Sequence, residues 1–204
     1  MKKIILVNTM HSENGKCNAQ ELFTLIDKIK PEIIFLEATD QNYSRLEEMS
    51  FKSFGVFHKK LELKAIQMYQ LRASIIYVPV LNFGLSDKFD MKYNIVCENS
   101  EYKCLLDGFN LRANEEGFEF LNSAASIKLH NEMNLLADQI CADNRLNEDV
   151  QNDIDKYENS MIENINNYCQ NNDFSIAIFL CGNAHRASLI EKFKNTSLYF
   201  EAWG

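Results

Sequence analysis

No stretch of this 204-residue chain is long and apolar enough to span a membrane. Met1-Lys2-Lys3 followed by Ile4–Val7 imitates the start of a signal peptide. The apolar run stops at Asn8, however, and no small-residue cleavage site follows, so a cytoplasmic location is expected and no membrane partner. There is no excess of basic charge. With 21 Lys and Arg against 29 Asp and Glu, the formal net charge is -8, which argues against a general nucleic-acid binder that must neutralise phosphates with a basic face. There is no C-x-x-C pair among the six cysteines, Cys17, Cys97, Cys104, Cys141, Cys169 and Cys181. In a reducing compartment they read as small buried hydrophobes, and neither a disulfide framework nor a zinc knuckle is expected. The chain also lacks a Walker motif and a dinucleotide-binding glycine fingerprint after its first strand. No G-x-S-x-G elbow surrounds Ser12, which excludes the usual setting of a nucleophilic serine. Repeats and low-complexity tails are absent.

What is there is enough for one domain. An apolar share of 46% over 204 residues can bury a large core. Lys3–Thr9 reads as a first strand. Asn18 then caps a helix to about Lys30, with Glu21 completing an Asn-x-x-Glu box, and Pro31 closes it. Glu32–Ala38 is a second strand, whose continuous apolar centre fits a sheet covered on both faces. Gln41–Met49 reads as helical, Phe51–Phe57 as a loop or lid, Lys60–Ala73 as a helix, and Ser74–Val80 as a third strand limited by Pro79. This alternation gives two βαβ units and a mostly parallel α/β sheet flanked by helices. Leu81–Cys97 is ambiguous. Tyr102 to about Tyr168 is helical in pattern, with breaks near Asn114–Gly117 and Asp143–Asn147. Its narrow apolar stripes make it a helical insertion, over about residues 100–170, packed on the sheet ahead of the penultimate strand. The chain then finishes with a strand at Phe174–Leu180, a helix at Ala184–Lys194 and a strand at Leu198–Ala202.

Two histidines stand where chemistry is expected. Ile4–Val7 runs into Asn8-Thr9-Met10-His11, and Phe174–Leu180 runs into Cys181-Gly182-Asn183-Ala184-His185. Each is a short apolar strand, a polar or glycine turn, then a histidine before a helix. In open parallel sheets ligands bind beyond the carboxyl ends of the strands, so these remote residues converge on one pocket. Gly182 is read as permitting a tight turn, and the following helix dipole favours a neutral His185, as a metal ligand or a general base requires. Glu37 ends the second strand on the same edge; its ordinary reading is a solvated acid or helix cap. Glu62 falls inside the apolar face of its helix, in line with Ile66 and Tyr69. A buried carboxylate needs a cation, a metal or donors, and a structural pair with Arg72 is the ordinary alternative. His58 reads as a surface-loop histidine and His130 as structural or exposed. The four residues His11, Glu37, Glu62 and His185 are therefore the candidate catalytic and metal-binding set.

These residues resemble the TraB/PrgY/GumN family and its relatives, the Tiki proteases, the erythromycin esterases and the haem-binding ChaN proteins. The family's first strand ends in G-T-x-H, here Asn8-Thr9-Met10-His11, with Asn8 standing in place of the first glycine. Its second strand follows a Lys-Pro-like turn, here Lys30-Pro31, and ends in a glutamate matching Glu37. A helical glutamate followed by alanines precedes the third strand, matching Glu62 and Ala65. A late strand ends in G-x-x-H, here Gly182 to His185, before a helix carrying Leu189. The match runs in order along nearly the whole chain apart from the middle insertion, and implies the erythromycin esterase/ChaN-like α/β fold. For function the resemblance implies several things: metal-dependent proteolysis in Tiki-like members, a histidine base acting on water without metal in the esterases, and haem binding in ChaN-like ones.

The expected function is hydrolysis of a peptide or small ester-like molecule. In it the four residues hold a divalent metal (zinc, manganese or cobalt) or a water directly. The alternative is a non-catalytic module that binds a small molecule or, less readily, haem. The sequence does not fix the oligomeric state.

Overall fold

The computed structural model describes residues 2–39 and 60–204. The expected helix at Gln41–Met49, the loop at Phe51–Phe57 and His58 lie outside the described residues. Elements are numbered in chain order over those described: β1 (Lys3–Thr9), α1 (Ala19–Ile29), β2 (Ile33–Thr39), α2 (Leu61–Gln70), β3 (Ile76–Leu81), α3 (Asp87–Val96), α4 (Ser100–Glu116), α5 (Phe118–Leu121), α6 (Ala124–Ile140), α7 (Asn144–Asn171), β4 (Ile176–Gly182), α8 (Arg186–Lys194) and β5 (Tyr199–Ala202), with a 3-10 turn at Asn183–His185 between β4 and α8.

The five strands form one parallel sheet in the order β3-β2-β4-β1-β5. Strands β1, β2 and β4 have continuously apolar centres because both faces are covered. Successive side chains alternate between the faces. Ile5, Val7, Ile34, Leu36, Ile178 and Leu180 join a core built with α1, α2 and α4–α6. Ile4, Leu6, Ile33, Phe35, Ala177 and Phe179 face the opposite way, onto Tyr157, Met161, Ile165 and Cys169 of α7 and onto Leu189 and Phe193 of α8.

Local signals place these elements well. The Asn18 side chain accepts from the Glu21 amide at the start of α1, as the Asn-x-x-Glu spacing anticipates. Lys30 ends that helix in the left-handed conformation, with φ 53, avoiding the right-handed region that the following Pro31 disfavours. The inserted segment divides at Gly117, within the first expected break, and at Cys141–Asp143, just ahead of the second, with a further, unexpected break at Asn122–Ser123. The ambiguous stretch after β3 contains the helix α3. All six cysteines are free, and four are buried. Among the described residues, no helix is long and apolar enough to cross a membrane.

The topology fixes where a site forms. Strand β4, which follows the insertion, lies between β1 and β2. Its carboxyl end is therefore flanked by the ends of two strands that diverge early in the chain, the usual position of a crevice in an open parallel sheet.

Candidate active site at the carboxyl edge of the sheet

The structure gathers His11, Glu37, Glu62 and His185 at this edge. Glu37 lies where β2 leaves its ladders: pairing with β4 ends at Leu36, and the register with β3 shifts between Leu36 and Thr39. Freed from the regular ladder, its carboxylate crosses to the end of β4. There Oε2 accepts the Gly182 amide at 2.6 Å, and Oε1 accepts the Tyr157 hydroxyl at 2.7 Å.

Gly182 is required, but not for the reason its type suggested. Its φ of -55 and ψ of 143 are open to any residue, so the turn itself does not need glycine. The need is space. A Cβ at this position would lie 3.3 Å from Glu37 Oε2 and 3.4 Å from His11 Nε2. The missing side chain lets both the His11 imidazole, just beyond β1, and the Glu37 carboxylate of β2 close over the end of β4.

Each histidine is held through Nδ1 by a different buried glutamate. His11 Nδ1 lies 3.3 Å from Glu62 Oε1, which also accepts the Thr9 hydroxyl at 2.6 Å. Arg72, the ordinary alternative partner for Glu62, instead approaches Asp27 at 3.8 Å and stacks over the ring of Phe23. His185 Nδ1 lies 2.9 Å from Glu158 Oε1. The Nε2 atom of His185 is turned to Glu37, 3.6 Å from Oε1. The Tyr157 ring stacks on His185 with centroids 5.3 Å apart and planes at 27°.

The two imidazoles differ in their surroundings. The His185 side chain is 9% exposed, whereas that of His11 is 60% exposed. The hydrogen bond to Glu62, opposed in part by burial, holds the His11 pKa above its ordinary value. For Glu37, burial favours the neutral form, but His185, the Gly182 amide, His11 and Tyr157 outweigh it and hold the carboxyl below its usual range. Burial, with the Glu37 charge beside it, pushes the Tyr157 hydroxyl far upward, so it stays a donor. Burial and the same carboxylate keep the Cys181 thiol protonated and out of nucleophilic chemistry.

Sequence reasoning missed Tyr157, Glu158 and a buried polar knot behind the site. Asn8 does not turn into the pocket. Its Nδ2 donates to the carbonyls of Cys181 and Gly182 at 3.3 and 3.2 Å, and its Oδ1 accepts from Arg186 at 2.9 Å. Asn122 donates to the Asn8 carbonyl and accepts from the Asn8 amide and from Arg186. His130 sits edge-on to Phe109, and burial, with His185 near enough to add to it, lowers its pKa. Among the described residues, no group of three or more His, Cys, Asp and Glu side chains is arranged to hold a metal ion.

Comparison of the chain with family models, with curated proteins and with solved structures gives no significant match.

Proposed function

We propose that this protein is a hydrolase in which His185 acts as general base on a water held against Glu37. The observation that carries the reading is the orientation of His185. Its Nδ1 is committed to a buried glutamate, and its Nε2 faces a second, fully anchored carboxylate 3.6 Å away. In the neutral ring with its proton on Nδ1, two acceptors face each other. The group that suits this corner is a donor of two hydrogens, such as water. His185 takes the proton as the oxygen attacks, and Glu37 keeps the oxygen aligned. His11, with its raised pKa and its exposed position, is placed to donate to the oxyanion or leaving group. The order of motifs shared with the TraB/PrgY/GumN relatives, the esterases in particular, supports the same reading.

A divalent metal among these donors is the competing reading within that resemblance. The test is a panel of generic esters and peptides assayed with and without chelator. Isothermal titration with zinc, manganese and cobalt and an absorbance scan for haem run beside it. The expected result is turnover that survives chelation and is lost in His185→Ala. Turnover that requires added metal would replace the histidine-base mechanism. No turnover, with a tightly bound small molecule or haem, would support a binding module.

A further inference from the structure

Glu158 lies outside every motif at the strand ends, on the long helix of the inserted segment, yet it is 1% exposed and touches His185. We infer that Glu158 is the positioning residue that fixes the tautomer of His185, and that the insertion thereby completes the site rather than merely covering it. The inference rests on the reading of His185 as the base.

The argument runs from the charge to the proton. A carboxylate offers only acceptors, so the short Nδ1 contact keeps an imidazole hydrogen on Nδ1 and, in the neutral ring that acts as base, leaves the lone pair on Nε2. Glu158 is itself kept from turning. Its Oε2 accepts the Ser188 hydroxyl at 2.5 Å and lies 3.3 Å from Lys192 Nζ. Ser188 and Lys192 are one helical turn apart on α8, so they present one face to this oxygen. The preceding residue, Tyr157, stacks on the ring and donates to Glu37. Two consecutive residues of α7 thus fix the imidazole at its edge and its face. A carboxylate that served only to neutralise Lys192 would not need a second oxygen on a buried imidazole.

Glu158→Gln separates these roles. Lys192 and Ser188 draw the amide carbonyl to the Oε2 position, leaving the NH2 group against His185 Nδ1. Because that group only donates, the imidazole proton moves to Nε2 and the lone pair leaves the site. In long-range ¹H–¹⁵N spectra of full-length protein, wild-type His185 is expected as the Nδ1–H tautomer and the variant as Nε2–H. On any ester the wild type hydrolyses, kcat is expected to fall by about 10³–10⁴-fold with KM little changed, as when a triad aspartate becomes asparagine. An Nε2–H tautomer in the wild type overturns the proposal without any variant, which covers a Glu158→Gln protein that does not fold. An unchanged Nδ1–H tautomer in a folded variant overturns it equally. The expected tautomer switch without hydrolysis of any substrate would sustain the positioning role while refuting the hydrolase reading.

Discussion

Replacing Asn122 by alanine is expected to cost more stability than any surface-like residue at a helix junction should. Strand β1 pairs with β5 only as far as Leu6↔Ala202, so the Asn8 backbone projects past the end of its neighbour. The Asn122 carboxamide takes over the role of the missing strand. Its Oδ1 accepts the Asn8 amide at 2.8 Å and its Nδ2 donates to the Asn8 carbonyl at 3.0 Å, at 1% exposure. Truncation orphans both backbone groups and removes a bond to the Arg186 guanidinium, though Arg186 keeps Asn8 Oδ1. A buried group left unpaired costs about 1–3 kcal/mol, so a total of about 3–5 kcal/mol is expected. At about 2–4 °C per kcal/mol for a chain of this size, the melting temperature should fall by about 6–20 °C. Urea unfolding followed by circular dichroism should show a lower midpoint with an unchanged slope. A loss below about 1 kcal/mol would show that water or a shifted chain readily replaces the side chain, and the strand-substitution argument would fail.

Gly182→Ala should fold but push Glu37 and His11 apart by a few tenths of an ångström, because its Cβ meets both within 3.4 Å; a drop in kcat of about 10–100-fold is expected, and an unaffected rate would refute the space argument. Glu62→Gln should lower the His11 pKa, since the Glu62 hydrogen bond is the largest cause of its elevation; NMR titration of His11 reads this directly. His130 has a pKa depressed by burial and then by His185, and its buried Nδ1 has no partner among the described residues, so it is mostly neutral in folded and unfolded chains above about 6.5 and contributes little pH dependence there. Below that pH the unfolded chain takes up the proton first, and stability is lost until the folded-state pKa is passed. His130→Phe should therefore flatten the acid limb of a stability-versus-pH curve, and an unaltered limb would assign that loss elsewhere.

The sheet was legible because its information is local. Lys3–Thr9 coincides with β1, and the other strands fall within two residues of their expected bounds, because a short apolar run between breakers has few other structures to adopt. Once those strands are parallel and joined by helices, their carboxyl ends are a shared edge. The placement of His11, Glu37 and His185 then follows from where each run stops. Glu62 was legible for a different reason: an acid on an apolar helix face must find a partner, and it found Thr9 and His11.

The same signal is present at Glu158. At about 100° per residue, Tyr157, Met161, Ile165 and Cys169 set the inward arc of α7, and Glu158 falls within it. The surrounding residues are so polar that the helix reads as a solvated cover, and one more acid among Asp155, Lys156 and Glu163 draws no notice. Composition averages over faces, whereas burial acts on one face at a time. Asn122 and Arg186 were hidden more deeply. Asn122 pairs with the Asn8 backbone on a strand far away in sequence, and Arg186 with the side chains of Asn8 and Asn122 and the carbonyls of Asn122 and Trp203. No periodicity marks a side chain that completes a ladder. The part of the site that comes from the sheet is therefore written in runs and breaks along the chain. The part that tunes it comes from the insertion, and it becomes visible only when each helix is read for which polar residue its apolar face cannot avoid burying.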